Sequence, residues 1–293
     1  MRLQGLIEYL EKIFPLELAE DWDNVGLLIG DRAQSVEKVA TCLTIDEAVA
    51  DEAVADKVDC IVSHHPFPFH AAKKWTTDTT DGRILRKLIG AGIAVYSPHT
   101  AHDSALFGIN RQLAAGLGLV DVKPLYPGEV EATRAMLDGL DDEDERLVEH
   151  DLKCVGKGRA KAAPTLGVGR IGALAKPMKF YELVEQVKDM LQVERTLVVG
   201  PREKVIKSVA LGCGAADDFI GRAAAEGADA MLLGEARFHS CLEARAQRLA
   251  LILPGHYATE RFAMCILADR IAQKFPELTV KASVKESDPL RIE

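Results

Sequence analysis

Short apolar runs alternate along the chain with longer segments whose apolar residues recur at helical spacing. In the first half, strands are predicted near Val36–Ile45, Asp59–Ser63 and Ile93–Ser97, and helices near Glu47–Ala55, near Gly82–Ile89 and from about Asp103. In the second half, strands are predicted near Ile171, Leu197–Val199, Ile206–Gly212, Ala230–Leu233 and Leu249–Leu253. This alternation is typical of βαβ units and predicts an α/β fold with largely parallel sheets.

The two halves share one succession of features. Val36–Asp59 and Ile206–Asp229 each contain a Val-rich strand, a turn with Asp, an Ala-rich helix and an Asp that leads a short apolar strand. This similarity indicates a diverged duplication. We expect an N-terminal α/β unit over residues 1–125 and a C-terminal one over residues 166–293.

The composition changes between these units, over residues 126–165. The segment contains the acidic run Asp141–Glu145, followed by Lys157, Arg159 and Lys161 among glycines. Clustered carboxylates can bind Ca²⁺, but the regular spacing and central glycine of a Ca²⁺ loop are missing. We therefore interpret the segment as a solvated linker or surface excursion.

Charge and hydropathy exclude several classes of protein. With 48% hydrophobic residues the chain is not disordered, and its formal net charge of −9 argues against bulk nucleic-acid binding. The start, Met1–Phe14, is charged and lacks the apolar centre of a signal peptide, and no apolar run reaches the ~18 residues of a membrane span. We expect a cytoplasmic protein without a membrane partner.

The cysteines are scattered singly and predict small buried side chains rather than disulfides or a Cys-type zinc site. Cys213, within Leu211–Gly214, is a candidate reactive thiol, because a glycine turn that opens a helix would lower its pKa. The same segment is a partial G-x-G-x-x-G motif with Asp217 at its third glycine position, which is weak evidence for a dinucleotide. A tight turn in a duplicated unit explains it equally well.

The histidines are concentrated in one stretch that contains His64, His65, His70, His99 and His102. His64 and His65 directly follow the predicted strand Asp59–Ser63, and Pro66 prevents the strand from continuing. His99 and Asp103 follow the next strand. Because ligands bind at the carboxyl ends of strands in open α/β sheets, this arrangement indicates a binding site. Asp103 is alternatively a helix N-cap.

A third strand end adds His256 and Glu260, which open a predicted helix at i and i+4 on one face. The predicted metal ligands are therefore His64, His65, Asp103, His256 and Glu260. Nitrogen and oxygen ligands suit Zn, Mn, Fe or Ni. The two carboxylates can bridge two ions about 3.5–4 Å apart, and a bridging hydroxide can then attack a phosphoryl, acyl or ring carbon.

Other polar residues near these strand ends have open roles. His99 is a predicted catalytic residue that either orients a ligand or shuttles a proton, although a hydrogen bond to a carboxylate behind the ligands is the favoured role. Glu260 is the second predicted catalytic residue. Arg237 and His239 either contact an anionic substrate or lie on the surface.

The motifs as a group resemble the dinuclear-metal proteins known as GTP cyclohydrolase 1 type 2 homologues, also called the Nif-three-like family. The resemblance covers nearly the whole chain and rests on Glu20–Leu27, Ser63–Pro66, Tyr96–Thr100 with Asp103, Gly169–Gly172 and Gly255–Glu260. It implies two interlinked α/β units with helices on both faces of the sheets, a hexameric ring and a dinuclear centre on the same five ligands. His102 departs from the family, which has an apolar residue at this position.

Two functions follow from the residues and the resemblance. The first is a hydrolase that uses two divalent ions per chain on a small nucleotide-like or phosphorylated substrate, with cyclohydrolase action on GTP suggested by the family name alone. The second is a metal-binding regulatory or scaffold protein without catalysis, since relatives resemble partners of transcription factors.

Overall fold

The computed structural model describes residues 1–71, 73–128, 139–141, 144, 146 and 166–291. The chain divides into two compact units: a first unit made of Met1–His102 and Ala263–Glu293, and a second unit made of Asp103–Phe262. The chain thus leaves the first unit, forms the second and returns, as expected of interlinked units. Most of the predicted linker, including Cys154, His150 and most of the acidic run, lies outside the described residues, so the predicted boundaries at 125 and 166 stay predictions.

The helices and strands of the described residues follow the predicted alternation. The helices are α1 (Leu3–Ile13), α2 (Glu47–Asp56), α3 (Thr80–Gly90), α4 (His99–Ser104), α5 (Ile109–Gly116), α6 (Phe180–Leu191), α7 (Ile220–Ala225), α8 (Phe238–Ala246) and α9 (His256–Lys274), with short 3₁₀ turns at Leu16–Leu18 and Asp217–Phe219. The strands are β1 (Gly26–Ile29), β2 (Lys38–Cys42), β3 (Cys60–Ser63), β4 (Ala94–Ser97), β5 (Leu119–Lys123), β6 (Tyr126–Pro127), β7 (Gly167–Val168), β8 (Arg170–Lys179), β9 (Leu197–Val199), β10 (Val205–Ala215), β11 (Ala230–Glu235), β12 (Ala250–Leu253) and β13 (Thr279–Ala282).

The sheet of the first unit has the strand order β1-β4-β3-β2-β13. All its neighbouring strands are parallel except β1, which is antiparallel to β4. Every residue of β3 and β4 is buried, as expected for central strands of a parallel sheet covered on both faces. Apolar side chains of α2 and α3, such as Val49 and Leu88, pack with Ile61 and Val95 of these strands to form the core.

The sheet of the second unit has the order β5-β8-β10-β11-β12-β9. Its centre is again a run of parallel strands, β10-β11-β12, and β9 closes one edge antiparallel to β12. The core packs Met231 and Leu251 of this sheet against Ile220 and Ala223 of α7 and Ala244 of α8. Both sheets therefore place their parallel strands together, as the alternation of elements predicted.

Equivalent residues support the duplication. The Asp59 carboxylate accepts hydrogen bonds from the backbone N–H groups of Glu37 and Lys38, each at 2.8 Å. Asp229 accepts the same pair of bonds from Lys207 and Ser208, at 2.8 and 3.1 Å. In each unit one aspartate thus fixes the start of its own strand to the first parallel strand of the sheet.

Candidate functional site

In the first unit, the His64–His65 pair is fixed by the strands that precede it. The backbone N–H groups of His64 and His65 donate to the carbonyls of Cys42 and Leu43, at 2.9 and 2.8 Å, and so extend the β2–β3 ladder. The Ser97 hydroxyl at the end of β4 donates to the His64 carbonyl at 2.6 Å. Hydrogen bonds of their backbone groups with both neighbouring strands therefore place this pair at the carboxyl edge of the sheet.

Three imidazoles meet at this edge. The ring centroid of His64 lies 5.2 Å from those of His65 and His99, and the His65 and His99 centroids are 5.5 Å apart. One ring nitrogen from each lies within 4.8 Å of the others, an arrangement that can hold a metal ion. The structure thus brings together the two predicted ligands of this unit with His99.

His99 is held by Asp23, whose carboxylate oxygen lies 2.7 Å from the His99 Nδ1. Asp23 also accepts hydrogen bonds from the backbone N–H and the hydroxyl of Thr100, and its side chain is only 1% exposed. Burial alone would raise the pKa of Asp23, but the hydrogen bonds from His99 and Thr100 lower it. His99 also has a backbone φ of +31°, which is unusual outside glycine and is found at constrained functional positions.

Further side chains lie close to this edge, and the ring centroid of His102 is 5.8 Å from that of His64. The Thr44 hydroxyl lies 2.7 Å from Nδ1 of His65. His102 is buried, with its ring centroid 4.1 Å from that of Phe14, so the residue that departs from the family faces the interior. His70 is exposed, and Trp22 is 65% exposed with its ring 6.0 Å from that of His99.

In the second unit, His256 and Glu260 form the predicted pair at the start of α9. The His256 Nε2 lies 3.0 Å from a Glu260 carboxylate oxygen, and Glu260 is buried. On the other side of the ring, the His256 Nδ1 lies 3.0 Å from Oε1 of Glu235, the last residue of β11. Burial opposes protonation of this imidazole, but the Glu260 and Glu235 carboxylates outweigh it and raise the pKa of His256 to about 9.

The backbone of Gly214 is pressed against this pair. A Cβ at position 214 would overlap Oε1 of Glu260 and lie 3.0 Å from Nε2 of His256, and Gly214 has a φ of +59°. Only glycine therefore leaves room for both side chains. The predicted turn at this point was wrong: β10 continues through it to Ala215, and the irregularity is a register shift against β11 between Gly212 and Ala215.

Asp103, the remaining predicted ligand, lies near the end of α4, which begins at His99 rather than at Asp103 as predicted. The Cys213 thiol donates to the Asp103 carboxylate at 3.1 Å. Burial and the nearby carboxylates of Asp103 and Glu260 raise the pKa of Cys213, so the predicted lowering was wrong. A buried thiol between two carboxylates is disfavoured as a thiolate because both its solvation and its neighbours oppose the negative charge.

The segment after β10 shows what Asp217 and Arg237 do. The Arg237 guanidinium binds the Asp217 carboxylate at 2.6 Å and that of Asp218 at 2.6 Å. Asp217 also accepts a hydrogen bond from Ser240. The third position of the partial glycine motif is thus part of an ion-pair cluster, and His239 lies exposed beside it.

The donors in both units suit a divalent metal. The first unit offers imidazoles, and the second offers the imidazole of His256 and the carboxylate of Glu260, against which the backbone of Gly214 lies. Such nitrogen and oxygen donors match borderline and hard divalent ions.

Across the part of the chain that the structure describes, no helix combines the length and apolar character needed to cross a membrane.

Known proteins resemble this chain along nearly its whole length. A "Protein NIF3 homolog" of Schizosaccharomyces pombe is 31% identical over 297 residues, covering 97% of this chain and 96% of the relative. A "GTP cyclohydrolase 1 type 2 homolog" of Clostridium acetobutylicum is 29% identical over 271 residues, covering 92% and 90%. The solved Bacillus cereus protein related to NIF3 has the same fold, with a TM-score of 0.83, 24% identity and coverage of 100% and 99%. The sequence profile described as Duf34/NIF3 (NGG1p interacting factor 3) matches residues 1–289. The chain therefore belongs to the Duf34/NIF3 family.

Proposed function

We propose that the protein is a metal-dependent hydrolase that binds two divalent ions per chain. The ligands are His64 and His65 of the first unit and Asp103, His256 and Glu260 of the second. The observation that supports this most directly is the His256–Glu260 pair, whose Nε2 and carboxylate face each other at 3.0 Å beneath the backbone of Gly214. An imidazole and a carboxylate one helical turn apart are a common half-site for metals.

Bound divalent ions supply Lewis acidity and lower the pKa of coordinated water. The residues of the chain supply orientation and proton transfer. His99 has its Nδ1 on the buried Asp23 carboxylate, so its Nε2 accepts a proton from the attacking water and returns it to the leaving group. Glu260 acts as a ligand beside the Nε2 of His256.

The substrate class we propose is a small nucleotide-like or phosphorylated molecule. Lewis-acidic ions stabilise the negative charge that develops on a phosphoryl oxygen or on a ring under attack by water. Several relatives carry the name "GTP cyclohydrolase 1 type 2 homolog", which makes GTP the first nucleotide to assay.

Metal content of untagged protein purified without chelator tests the ligand set, using elemental mass spectrometry. We expect about two equivalents per chain for the wild type, and a clear loss in His256→Ala and in Glu260→Ala. The exposed His70 and His239 provide matched controls, since His70→Ala and His239→Ala remove an imidazole without removing a proposed ligand. An absence of metal in the wild type after reconstitution would contradict the hydrolase and leave a scaffold function that does not depend on metal.

Activity against nucleotides and phosphoesters then separates the two catalytic roles. Glu260→Ala should lose both metal and turnover, whereas His99→Ala should keep its metal and lose about 10²- to 10⁴-fold in kcat, the usual contribution of a positioned acid–base group. Equal turnover in His99→Ala and wild type would remove His99 from the mechanism.

We further propose a homohexamer, which sedimentation velocity tests; Glu260→Ala should keep the same assembly.

A further inference from the structure

We infer that Glu235 is a positioning residue that holds the Nδ1 side of His256, so that His256 binds metal through Nε2. The inference rests on the proposed function, because it assigns an outer partner to one of the proposed ligands. A ligand histidine commonly donates its second ring N–H to a carboxylate, which fixes the ring and raises its basicity as a ligand.

The geometry around His256 has this form. The two ring nitrogens face different carboxylates, with Nδ1 3.0 Å from Glu235 Oε1 and Nε2 3.0 Å from Glu260 Oε2. Glu260 is buried beside Gly214, and Glu235 is exposed at the end of β11. The exposed Glu235 carboxylate is therefore suited to accept a hydrogen bond from Nδ1–H. The buried Glu260 carboxylate lies beside Nε2, the nitrogen that would bind the metal.

The duplicated fold points to the same role. Cys60 pairs with the first residue of β4, Ala94, and Ala230 pairs with the first residue of β12, Ala250, so Cys60 and Ala230 are equivalent. Counting five residues on from each places Glu235 at the position of His65. One repeat thus uses this position for a proposed ligand, and the other uses it for the partner of a ligand.

The first unit anchors its own ligand in a comparable way. The Nδ1 of His65 lies 2.7 Å from the hydroxyl of Thr44, which follows the end of β2. If the ring donates its Nδ1 proton to this oxygen, the Nε2 is the nitrogen that binds metal. His65 and His256 would therefore both coordinate through Nε2, each with a partner at a strand end.

The test compares the affinity for Co²⁺ of wild type, Glu235→Leu and Glu235→Gln, measured by competition with a chromogenic chelator. We expect Glu235→Leu to weaken binding about 10- to 100-fold, the usual effect of removing an outer partner. Glu235→Gln keeps an oxygen that can accept the Nδ1 proton, so it should lose less. Glu203→Gln removes the same charge from an exposed side chain of the same unit and should bind as the wild type does.

The visible spectrum of bound Co²⁺ provides a second readout. A shift in the absorption bands of Glu235→Leu, restored in Glu235→Gln, indicates that the ring has turned and that the ligand geometry has changed. Wild-type affinity and spectrum in Glu235→Leu would overturn this inference and leave the proposed function intact. Failure of the wild type to bind Co²⁺ at all would overturn the proposed function, and this inference with it.

Discussion

Gly214→Ala tests the closest contact in the second unit with the smallest possible change. The added Cβ would overlap Oε1 of Glu260 and lie 3.1 Å from its Cδ and 3.0 Å from Nε2 of His256. Carbon atoms in contact are normally about 3.5–4.0 Å apart. The Glu260 carboxylate must therefore move by at least about half an ångström, away from the position in which it faces His256.

Gly214→Ala has two expected effects: backbone strain at position 214, which lowers the free energy of unfolding, and displacement of the Glu260 carboxylate, which weakens metal binding. Gly214 has a φ of +59°, and placing a side chain in this left-handed region costs about 1–2 kcal/mol. Gly118 isolates this strain, because it has a φ of +66° in the same unit and a Cβ added there would meet nothing within 4 Å. We expect both alanine variants to lose about 1–2 kcal/mol of unfolding free energy, and only Gly214→Ala to lose metal.

Urea unfolding of the metal-free proteins gives the loss of unfolding free energy that the strain causes. Competition with a chelator gives the loss of Co²⁺ affinity that the displaced Glu260 carboxylate causes. We expect Gly214→Ala to bind at least about tenfold more weakly than wild type, since moving a ligand should cost no less than removing an outer partner. Gly118→Ala should bind like wild type. Wild-type affinity in Gly214→Ala, with the strain cost present, would refute the assignment of Glu260 as a ligand held against this backbone.

Three further predictions concern polar side chains that hydrogen-bond the backbone or a neighbouring side chain. Asp23→Asn should lose about 1.5–3 kcal/mol of unfolding free energy at pH 7. The pKa of Asp23 is lower in the folded protein than the unfolded value of about 3.9, so the stabilisation by its charge is lost as the pH falls. The difference in unfolding free energy between wild type and Asp23→Asn, measured in urea, should therefore be smaller at pH 3, and an unchanged difference would contradict the role of the charge. Arg170 is buried, and its guanidinium donates to four backbone carbonyls. Arg170→Met should lose at least about 1–3 kcal/mol of unfolding free energy, and a loss below about 1 kcal/mol in urea unfolding would show that these bonds contribute little. Asp59→Ala and Asp229→Ala should each lose about 1–3 kcal/mol, by similar amounts if the repeats are equivalent, which chemical unfolding of each variant checks.

The sequence predicted the strands well because a buried parallel strand has an unambiguous pattern. The apolar runs at Ala230–Leu233 and Leu249–Leu253 match most of β11 and β12, which are buried and parallel. Two helix starts near the site differed in outcome. α9 begins at His256 as predicted, after Pro254 and Gly255 end the strand, whereas α4 begins at His99, four residues before the predicted position. His99 adopts a positive φ that a non-glycine residue rarely has, and no local pattern signals it.

The Cys213 prediction failed for a physical reason. Glycines at 212 and 214 are typical of a turn that opens a helix, and such a turn would have lowered the thiol pKa. Here the glycines permit close approach of the backbone to neighbouring side chains inside a long strand instead. The thiol is therefore buried beside Asp103, and its pKa rises. A turn that opens a helix and a closely packed strand both require glycines at these positions, and only the tertiary contacts show which of the two is present.

The residues that sequence reasoning missed follow the rule that identified the others. Thr44 follows the end of β2, and Glu235 ends β11, so both lie at carboxyl ends of parallel strands, as His64 and His65 do. Paired imidazoles are conspicuous in a sequence, whereas a single threonine or glutamate after a strand is common on any protein surface. Because the duplication makes His65 and Glu235 equivalent, an alignment of the two halves would have identified Glu235.

This equivalence explains how one fold can supply both ligands and their partners. In each repeat, polar residues follow the carboxyl ends of the parallel strands of that repeat's own sheet. Backbone hydrogen bonds of the strands fix the positions of these residues. After duplication, a change at one copy of a position leaves the other copy intact, which fits the proposal that His65 is a ligand and that Glu235 is the partner of one. The double variant Thr44→Val with Glu235→Leu should therefore weaken Co²⁺ binding by about the product of the single effects, because Thr44 and Glu235 contact different imidazoles and share no hydrogen-bond partner. An effect no larger than that of either single variant would show that the two imidazoles do not act as independent ligands.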